Sequence, residues 1–526
     1  MKHHRPIGIW LVAASSLMII ALVVGDLILV REDRVIPIGY ATTRITGPLR
    51  PDGTVDYRLA LDDIDFRGVT PANNAVIPLL HALGTGKNIL GSAKNRRAAL
   101  RRLGMKALPK RGPYFVRAST FYQSLIQNAK TPAQRAALEK RKGNWPPYQF
   151  ERTPWRAANH PHVAHWLALN RVAFHWAMVA SRKSHYAMPV ITSIHRGRRV
   201  LSPGRSMWLY PYRLLTDAMA VKAMECLDNK NLSACENILL SVHRLARLEG
   251  REPFFISRMA AYGVDEKAWH DDWALAAYGQ VAAVQANTYR KALRDLPPMP
   301  SLASAANCGQ RFRVLDVLTA IASGDMHPTF PIQKPTVVER VTAIAVPVDY
   351  AQVAKRLNSW IDQSSKMLKD QDYALQEATA ARWWRDQDWA WAHPAFTPTL
   401  RFETGFIGSW ESAWCSALPV IIWRSVAERR MATLAFALAA YDADHGRYPA
   451  SLAKLVPQII QKLPTDPFTD KPLVYRSNGT GYVLASVGPS RQSGHGRHPI
   501  TLRVHWPKKR AARVPRSTWP PPAQHP

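Results

Sequence analysis

Apolar residues at Leu232, Cys235, Leu239, Val242 and Leu245 recur at steps of 3, 4, 3 and 3, the stripe of an amphipathic helix. Glu236, Arg244 and Arg247 lie off that stripe, and Gly250 is placed to close the helix. Similar periodicity over Tyr212 to Cys226, His270 to Leu293, Phe312 to Ala322 and Val348 to Leu368 predicts helix after helix, with an earlier one from Asn73 to Leu83 ending at Gly84. Helices joined by short polar breaks pack as antiparallel pairs. The middle of the chain therefore reads as an irregular helical bundle or short α-solenoid. Its pairs follow tetratricopeptide hairpins in outline, without a strict 34-residue repeat.

The pattern changes at both ends. Residues 35 to 70 read as an extended approach with turn chemistry at Arg50-Pro51-Asp52-Gly53. Towards the C-terminus, Ala427, Met431, Leu434, Leu438 and Tyr441 form one more helical seam, which stops at His445-Gly446. Leu452 to Val456 follow as a helical turn or two. Two strands, Val474 to Arg476 and Tyr482 to Ser486, flank Asn478-Gly479-Thr480-Gly481, a hairpin signal. From Arg491 the chain is basic, Pro-rich and free of acids, the composition of a disordered tail. The expected division is 35–424 for a mainly helical domain, 425–490 for a small α+β domain and 491–526 for the tail.

Residues 1–34 read as a cytoplasmic tip and a membrane anchor. Twenty consecutive residues from Pro6 to Gly25 carry no charge, and about 20 apolar residues suffice to cross the hydrocarbon core as a transmembrane helix. Lys2 and Arg5 precede the run, whereas Arg31, Glu32, Asp33 and Arg34 after it sum to zero. The positive-inside rule then keeps the N-terminus in the cytoplasm and exports the rest. No small-x-small cleavage site closes the run, which argues for an uncleaved anchor. The expected location is the bacterial inner membrane, crossed once by residues 7–30, with the bulk of the chain periplasmic.

With 47% hydrophobic residues the chain can bury a sizeable core, and its 526 residues suit two or three domains. The balance of 70 Lys+Arg against 38 Asp+Glu gives a net charge of +32. No acid interrupts Phe66 to Leu138, a run that includes Lys94, Arg96, Arg97, Arg101, Arg102, Lys106, Lys110 and Arg111. The stretch 87–117 could dock on anionic lipid or wall polymer. Nucleic acid is disfavoured on an exported protein, and no interleaved aromatics provide a single-strand platform. A solvated basic face is the plainer account. Of the four cysteines, Cys226 and Cys235 flank the polar break Asp228 to Asn231, a placement compatible with a disulfide across a helix hairpin and equally with two core thiols.

Nothing in the chain spells a reaction: P-loop, dinucleotide fingerprint, nucleophile elbow and zincin signatures are all missing. No catalytic, cofactor-binding or metal-binding residues are assigned. His160, His162 and His165 form the densest ligand-like cluster, but zinc needs a third well-placed ligand, and capping and packing are their expected roles. Trp383, Trp384, Trp389 and Trp391 could line a sugar groove, although Trp384 and Trp391 sit one helical repeat apart, as core residues would.

The run from Ala437 to Pro489 resembles the C-terminal part of the major pseudopilin of type II secretion. The likeness rests on Tyr441, Asp444, Gly446, Tyr448 and Pro449, then Leu463, Pro464, Asp466, Pro467 and Phe468, then Tyr475, Tyr482, Ser486 and Gly488. It covers about 50 residues and implies a helix followed by a strand pair, with these residues as its structural motif. Pseudopilins continue with calcium-binding acids; here Pro489 to Gly494 supply no carboxylate, so no calcium is expected. The prepilin leader is also lacking, so the resemblance does not imply a polymerising subunit. More loosely, the whole chain is similar to a group of single-anchor bacterial envelope proteins of no assigned activity, through Asp52-Gly53, Val55-Asp56-Tyr57, Pro71, Asn74-Ala75, His160-Pro161, Trp166-Leu167-Ala168 and the helix Tyr350 to Leu368. The expected role is a non-enzymatic interaction or scaffold component of the envelope, binding an envelope protein partner and linked to a type II secretion or pilus-like machine. The alternative is an envelope protein that binds or hydrolyses peptidoglycan.

Overall fold

A computed structural model describes residues 35–141, 149–190, 192–195, 198–201, 206–326, 348–392, 417–489 and 499–505. The chain is mainly helical, with a small antiparallel sheet near its C-terminus. Helices of eight residues or more are α1 (Tyr57–Asp65), α2 (Val76–Leu83), α3 (Ala93–Arg102), α4 (Ala118–Gln127), α5 (Pro132–Arg141), α6 (Pro161–Leu169), α7 (Arg171–Ser181), α8 (Ser206–Asp228), α9 (Leu232–Glu249), α10 (Phe255–Tyr278), α11 (Ala283–Arg294), α12 (Arg311–Ala322), α13 (Tyr350–Met367), α14 (Tyr373–Ala392) and α15 (Ala417–His445). The strands are β1 (Thr192–His195), β2 (Arg198–Leu201), β3 (Val474–Ser477), β4 (Tyr482–Ser486) and β5 (Ile500–Val504).

Two apolar cores organise these elements. The larger draws on α2, α3 and α6 to α11, and continues through α15 into the sheet. The predicted seam on α9 supplies it: Cys235, Leu239, Val242 and Leu245 are buried, and Leu232 packs at its margin. The α15 seam does the same with Ala427, Met431, Leu434 and Leu438. The smaller core gathers α1, β2, α12 and α13, with Leu418 of α15 and Phe255 and Tyr262 of α10 also entering it. Helices α10 and α15, packed against each other, thus run through both cores.

Four expectations are corrected. The stretch 35–70, read as extended, contains helix α1, which Asp56 caps by accepting from the Leu59 N–H at 3.0 Å. The helix read from His270 to Leu293 is two helices: Gly279 follows α10 and Gln280 adopts a positive φ of 49°, which reverses the chain before α11. The tail expected to be disordered from Arg491 contains β5, which pairs antiparallel with β4 from Tyr482↔Val504 to Ser486↔Ile500. Its alternation of buried Ile500, Leu502 and Val504 with less buried Thr501 and Arg503 is the period-two pattern of a half-buried strand. Gly481 permits the pairing, because a Cβ there would lie 2.5 Å from the Val504 carbonyl oxygen. The boundary placed at 424/425 falls inside α15, which is one continuous helix. In addition, the short hairpin β1–β2 went unpredicted.

The anchor segment 1–34 and most of the tail lie outside the described residues, as do the side chains of Trp383, Trp384, Trp389 and Trp391. Among the described residues no helix is long and apolar enough to cross a membrane. Cys226 ends α8 and Cys235 lies in the first turn of α9, as a hairpin requires. Both are buried free thiols, with burial pushing both pKa values up.

Candidate functional site

The pseudopilin-like motif folds into a joint between α15 and the sheet. Gly446, with φ +67°, terminates α15 by donating its N–H to the Asp442 carbonyl at 2.8 Å. Tyr441 stacks on His445 at 3.9 Å, and Asp444 is exposed without a role in the joint. Tyr448 is buried edge-on against Tyr482 at 4.8 Å, while the Tyr475 hydroxyl donates to the Pro449 carbonyl at 2.8 Å. Pro464 and Pro467 flank Asp466, which is 1% exposed. Asp466 accepts from the Phe468 N–H (3.0 Å), the Ser486 hydroxyl (3.0 Å) and the Val487 N–H (2.7 Å). The first is the bond of an Asx turn; the other two tie the turn to the end of β4. The Gly488 N–H closes onto the Ser486 oxygen at 3.1 Å. Of the motif residues, only Asp444 stands apart.

This joint is bolted to the helical body. Arg430 of α15 donates to the Thr465 carbonyl (2.8 Å), and Arg290 of α11 to the Ile459 carbonyl (2.6 Å). Tyr373 of α14 packs edge-on against Phe468 at 4.8 Å. Exposed Arg476 of β3 and exposed Arg503 of β5 lie in register on either side of buried Val483.

The histidine cluster is dispersed. His160 flanks the start of α6 and packs edge-on against Phe150 at 4.5 Å; exposed His165 lies 5.6 Å from the Phe121 ring; His162 is exposed. In the basic stretch, Lys94, Arg97, Arg101, Lys106, Lys110 and Arg111 are exposed, and Arg102 pairs with Asp62 at 2.7 Å.

The densest chemistry lies on α10, where residues 265–272 include Asp265, Glu266, Lys267, His270, Asp271 and Asp272. One group is centred on His243 of α9. Its Nδ1 lies 2.5 Å from Asp265 Oδ1 and its Nε2 3.0 Å from Asp272 Oδ2. Arg247 donates to Asp265 at 2.6 Å, the Trp269 indole N–H to its other oxygen at 3.0 Å, and the Tyr289 hydroxyl to Asp272 at 2.7 Å. His243 and both aspartates are buried, and both ring nitrogens and all four carboxylate oxygens have partners. Burial opposes the charged imidazole, but Asp265 and Asp272 outweigh it and raise the His243 pKa. Burial likewise opposes ionised Asp265, yet Arg247 and His243 hold its pKa below the usual value; Asp272 is pushed up by burial.

A second group lies where α10 faces α15. Ligand atoms of Glu266, His270 and Glu428 fall within 4.8 Å of one another. His270 Nε2 is 3.4 Å from Glu428 Oε1. One guanidinium nitrogen of Arg424 spans Glu266 Oε1 (3.1 Å) and Glu428 Oε1 (3.4 Å). Burial, with Arg152 and Arg424 nearby, lowers the His270 pKa to about 3; burial and Glu266 push Glu428 well up. His270, lowered to about 3, is uncharged at neutral pH, so its contact with Glu428 is not an ion pair despite the distance. His270 Nδ1 and Glu428 Oε2 are buried with no hydrogen-bond partner among the described residues. Asp271, also buried and raised by burial, borders a narrow crevice of about 10 Å³ with Glu151, Asp217 and Lys267, room for about one water.

Neither α10 group was anticipated. Apolar periodicity registers Val264, Ala268 and Leu275 and passes over the charges between them. The one available signal was a run of acids and a histidine interleaved with Trp269 and Trp273 in a helix too apolar to be solvated all round. Comparison with models of protein families, with curated proteins and with solved structures finds no match for this chain.

Proposed function

We propose that the protein is an exported, single-anchor interaction component of the bacterial cell envelope. Residues 7–30 hold it in the inner membrane with the N-terminus cytoplasmic, and its C-terminal pseudopilin-like unit docks a partner of a type II secretion or pilus-like machine. The observation that supports this reading is the mount of the terminal unit. A tethered module would swing on a linker, whereas here α15 shares the body's core and Arg290, Arg430 and Tyr373 clamp the loops before the sheet. Such a mount presents the exposed Arg476 and Arg503 side by side across the sheet in a fixed direction, as a docking surface needs. The two arginines suit an acidic partner surface and would steer its approach.

A photo-crosslinking residue placed at Arg476 or Arg503, compared with one at Val284 (80% exposed, on α11), tests this in intact cells. The expected result is an adduct with a secretion or pilus component from the sheet positions alone, lost when Arg476→Glu and Arg503→Glu are combined with a crosslinker at Thr501. Identical adducts from the sheet and from Val284, or wall fragments from both, overturn the reading.

A further inference from the structure

We infer that Glu266, His270 and Glu428 form a binding site for one divalent transition-metal ion of the zinc or cobalt type, with Arg424 as the cation that holds the place of the metal. Glu266 and His270 are four residues apart on α10 and share a face; Glu428 reaches them from α15. Two ligand atoms each about 2.1 Å from a tetrahedral ion stand about 3.4 Å apart. The His270 Nε2 to Glu428 Oε1 separation is 3.4 Å, so that edge of the tetrahedron already exists. The third ligand atom lies within 4.8 Å, and Glu266 is 38% exposed, free to close and placed on the side from which an ion would enter.

The unsatisfied atoms point the same way. Glu428 is fully buried in its side chain, yet one carboxylate oxygen has no partner among the described residues and the other has only the 3.4 Å contacts to His270 and Arg424. A buried carboxylate oxygen without a partner is costly, and a bound cation supplies the missing partner. One imidazole with two carboxylates suits zinc or cobalt better than calcium or magnesium, which take oxygen ligands alone. Arg424, with 29% of its side chain exposed, can swing to solvent as the ion enters. Because the ligands come from α10 and α15, the ion would cross-link the body to the helix that carries the terminal sheet. It would stabilise the fold increasingly as the free-ion concentration exceeds the dissociation constant.

The test titrates Co²⁺ into the full-length chain in detergent, following the visible absorption bands of the bound ion and the melting temperature in parallel. The expected result is one equivalent bound with a rise in melting temperature, reversed by a chelator. His270→Ala and Glu428→Gln should each weaken binding at least about 10-fold, and Arg424→Gln should tighten it about 10-fold by removing the resident charge. Gln matches Glu428 in size and shape, so that variant should fold; Glu266→Gln, at a half-open position, provides the second ligand deletion. Absence of saturable Co²⁺ binding, or binding unchanged in His270→Ala and Glu266→Gln, overturns the proposal. The latter result would assign the ion to histidines elsewhere in the chain.

Discussion

Asp265 and Glu266 are neighbours on one helix, and each contributes to a group centred on a histidine, but the two groups differ in kind. Asp265 meets His243, Arg247 and Trp269 in an interior where both its oxygens have partners. Glu266 meets Arg424 at the edge of a group that leaves His270 Nδ1 and Glu428 Oε2 orphaned. Both groups are acid–base clusters between packed helices. Their difference teaches that satisfaction, beyond burial, separates a closed structural network from a group with bonding capacity left over. A buried network with every member bonded rigidifies its helices. A partly bonded one retains a desolvation cost that only another group can relieve.

The sharpest way to break this contrast is to remove Asp265. Asp265→Ala leaves the Arg247 guanidinium with only the Pro297 and His243 carbonyls and no carboxylate, and unpairs one nitrogen of His243 inside the larger core; breaking a buried pair in this way typically costs about 3–5 kcal/mol. Urea denaturation of the purified chain should show a loss of that size, with Asp265→Asn intermediate because it keeps the shape and one acceptor. A loss under about 1 kcal/mol would mean that the network contributes little and that its completeness is incidental.

That network also marks where legibility in the sequence ends. The α9 and α15 stripes, the hairpin Val474 to Ser486 and the role of Asp466 in its turn could be read directly, because each depends on residues close in the chain or on simple periodicity. The partners of His243 lie 22 and 29 residues away, and Glu428 lies 158 residues from His270, so no local pattern joins them. The break before α11 depended on a left-handed Gln280, a residue without glycine's freedom and hence without a glycine's signal. Strand β5 was hidden by the basic, Pro-rich composition around it; its own alternation, Ile500, Leu502 and Val504, was short enough to pass as tail.

Acidity divides the two histidines by sign. In the folded chain the His243 pKa is raised above its usual value near 6.5, so its proton binds more tightly to the folded state. The stability it contributes is complete below about pH 6.5 and is lost as pH climbs through the raised value. His270 is depressed to about 3, so the unfolded chain takes up that proton first and stability falls as pH drops from about 6.5 towards 3. Urea midpoints measured from pH 4 to 8 should therefore diverge. His243→Gln should fall furthest below wild type at the acid end of that range and recover towards it as pH rises. His270→Gln should gain on wild type as pH falls. Parallel curves for all three chains would show that neither histidine titrates differently in the folded and unfolded states.

The smallest effect is expected where the two groups are compared most directly, at Glu266 without metal. Its pairing with Arg424 is half-exposed on both sides, and such pairs contribute about 0–1 kcal/mol. Glu266→Gln should therefore leave the metal-free urea midpoint almost where it was, although the residue is next in sequence to Asp265. The same substitution should erase most of any stabilisation that Co²⁺ gives the wild type, because the ion loses its one solvent-facing carboxylate. A metal-free loss as large as that of Asp265→Ala would make Glu266 part of the structural network after all. The orphaned oxygen of Glu428 would then have to be explained by packing between α10 and α15, and the contrast between the two groups would collapse into a difference of degree.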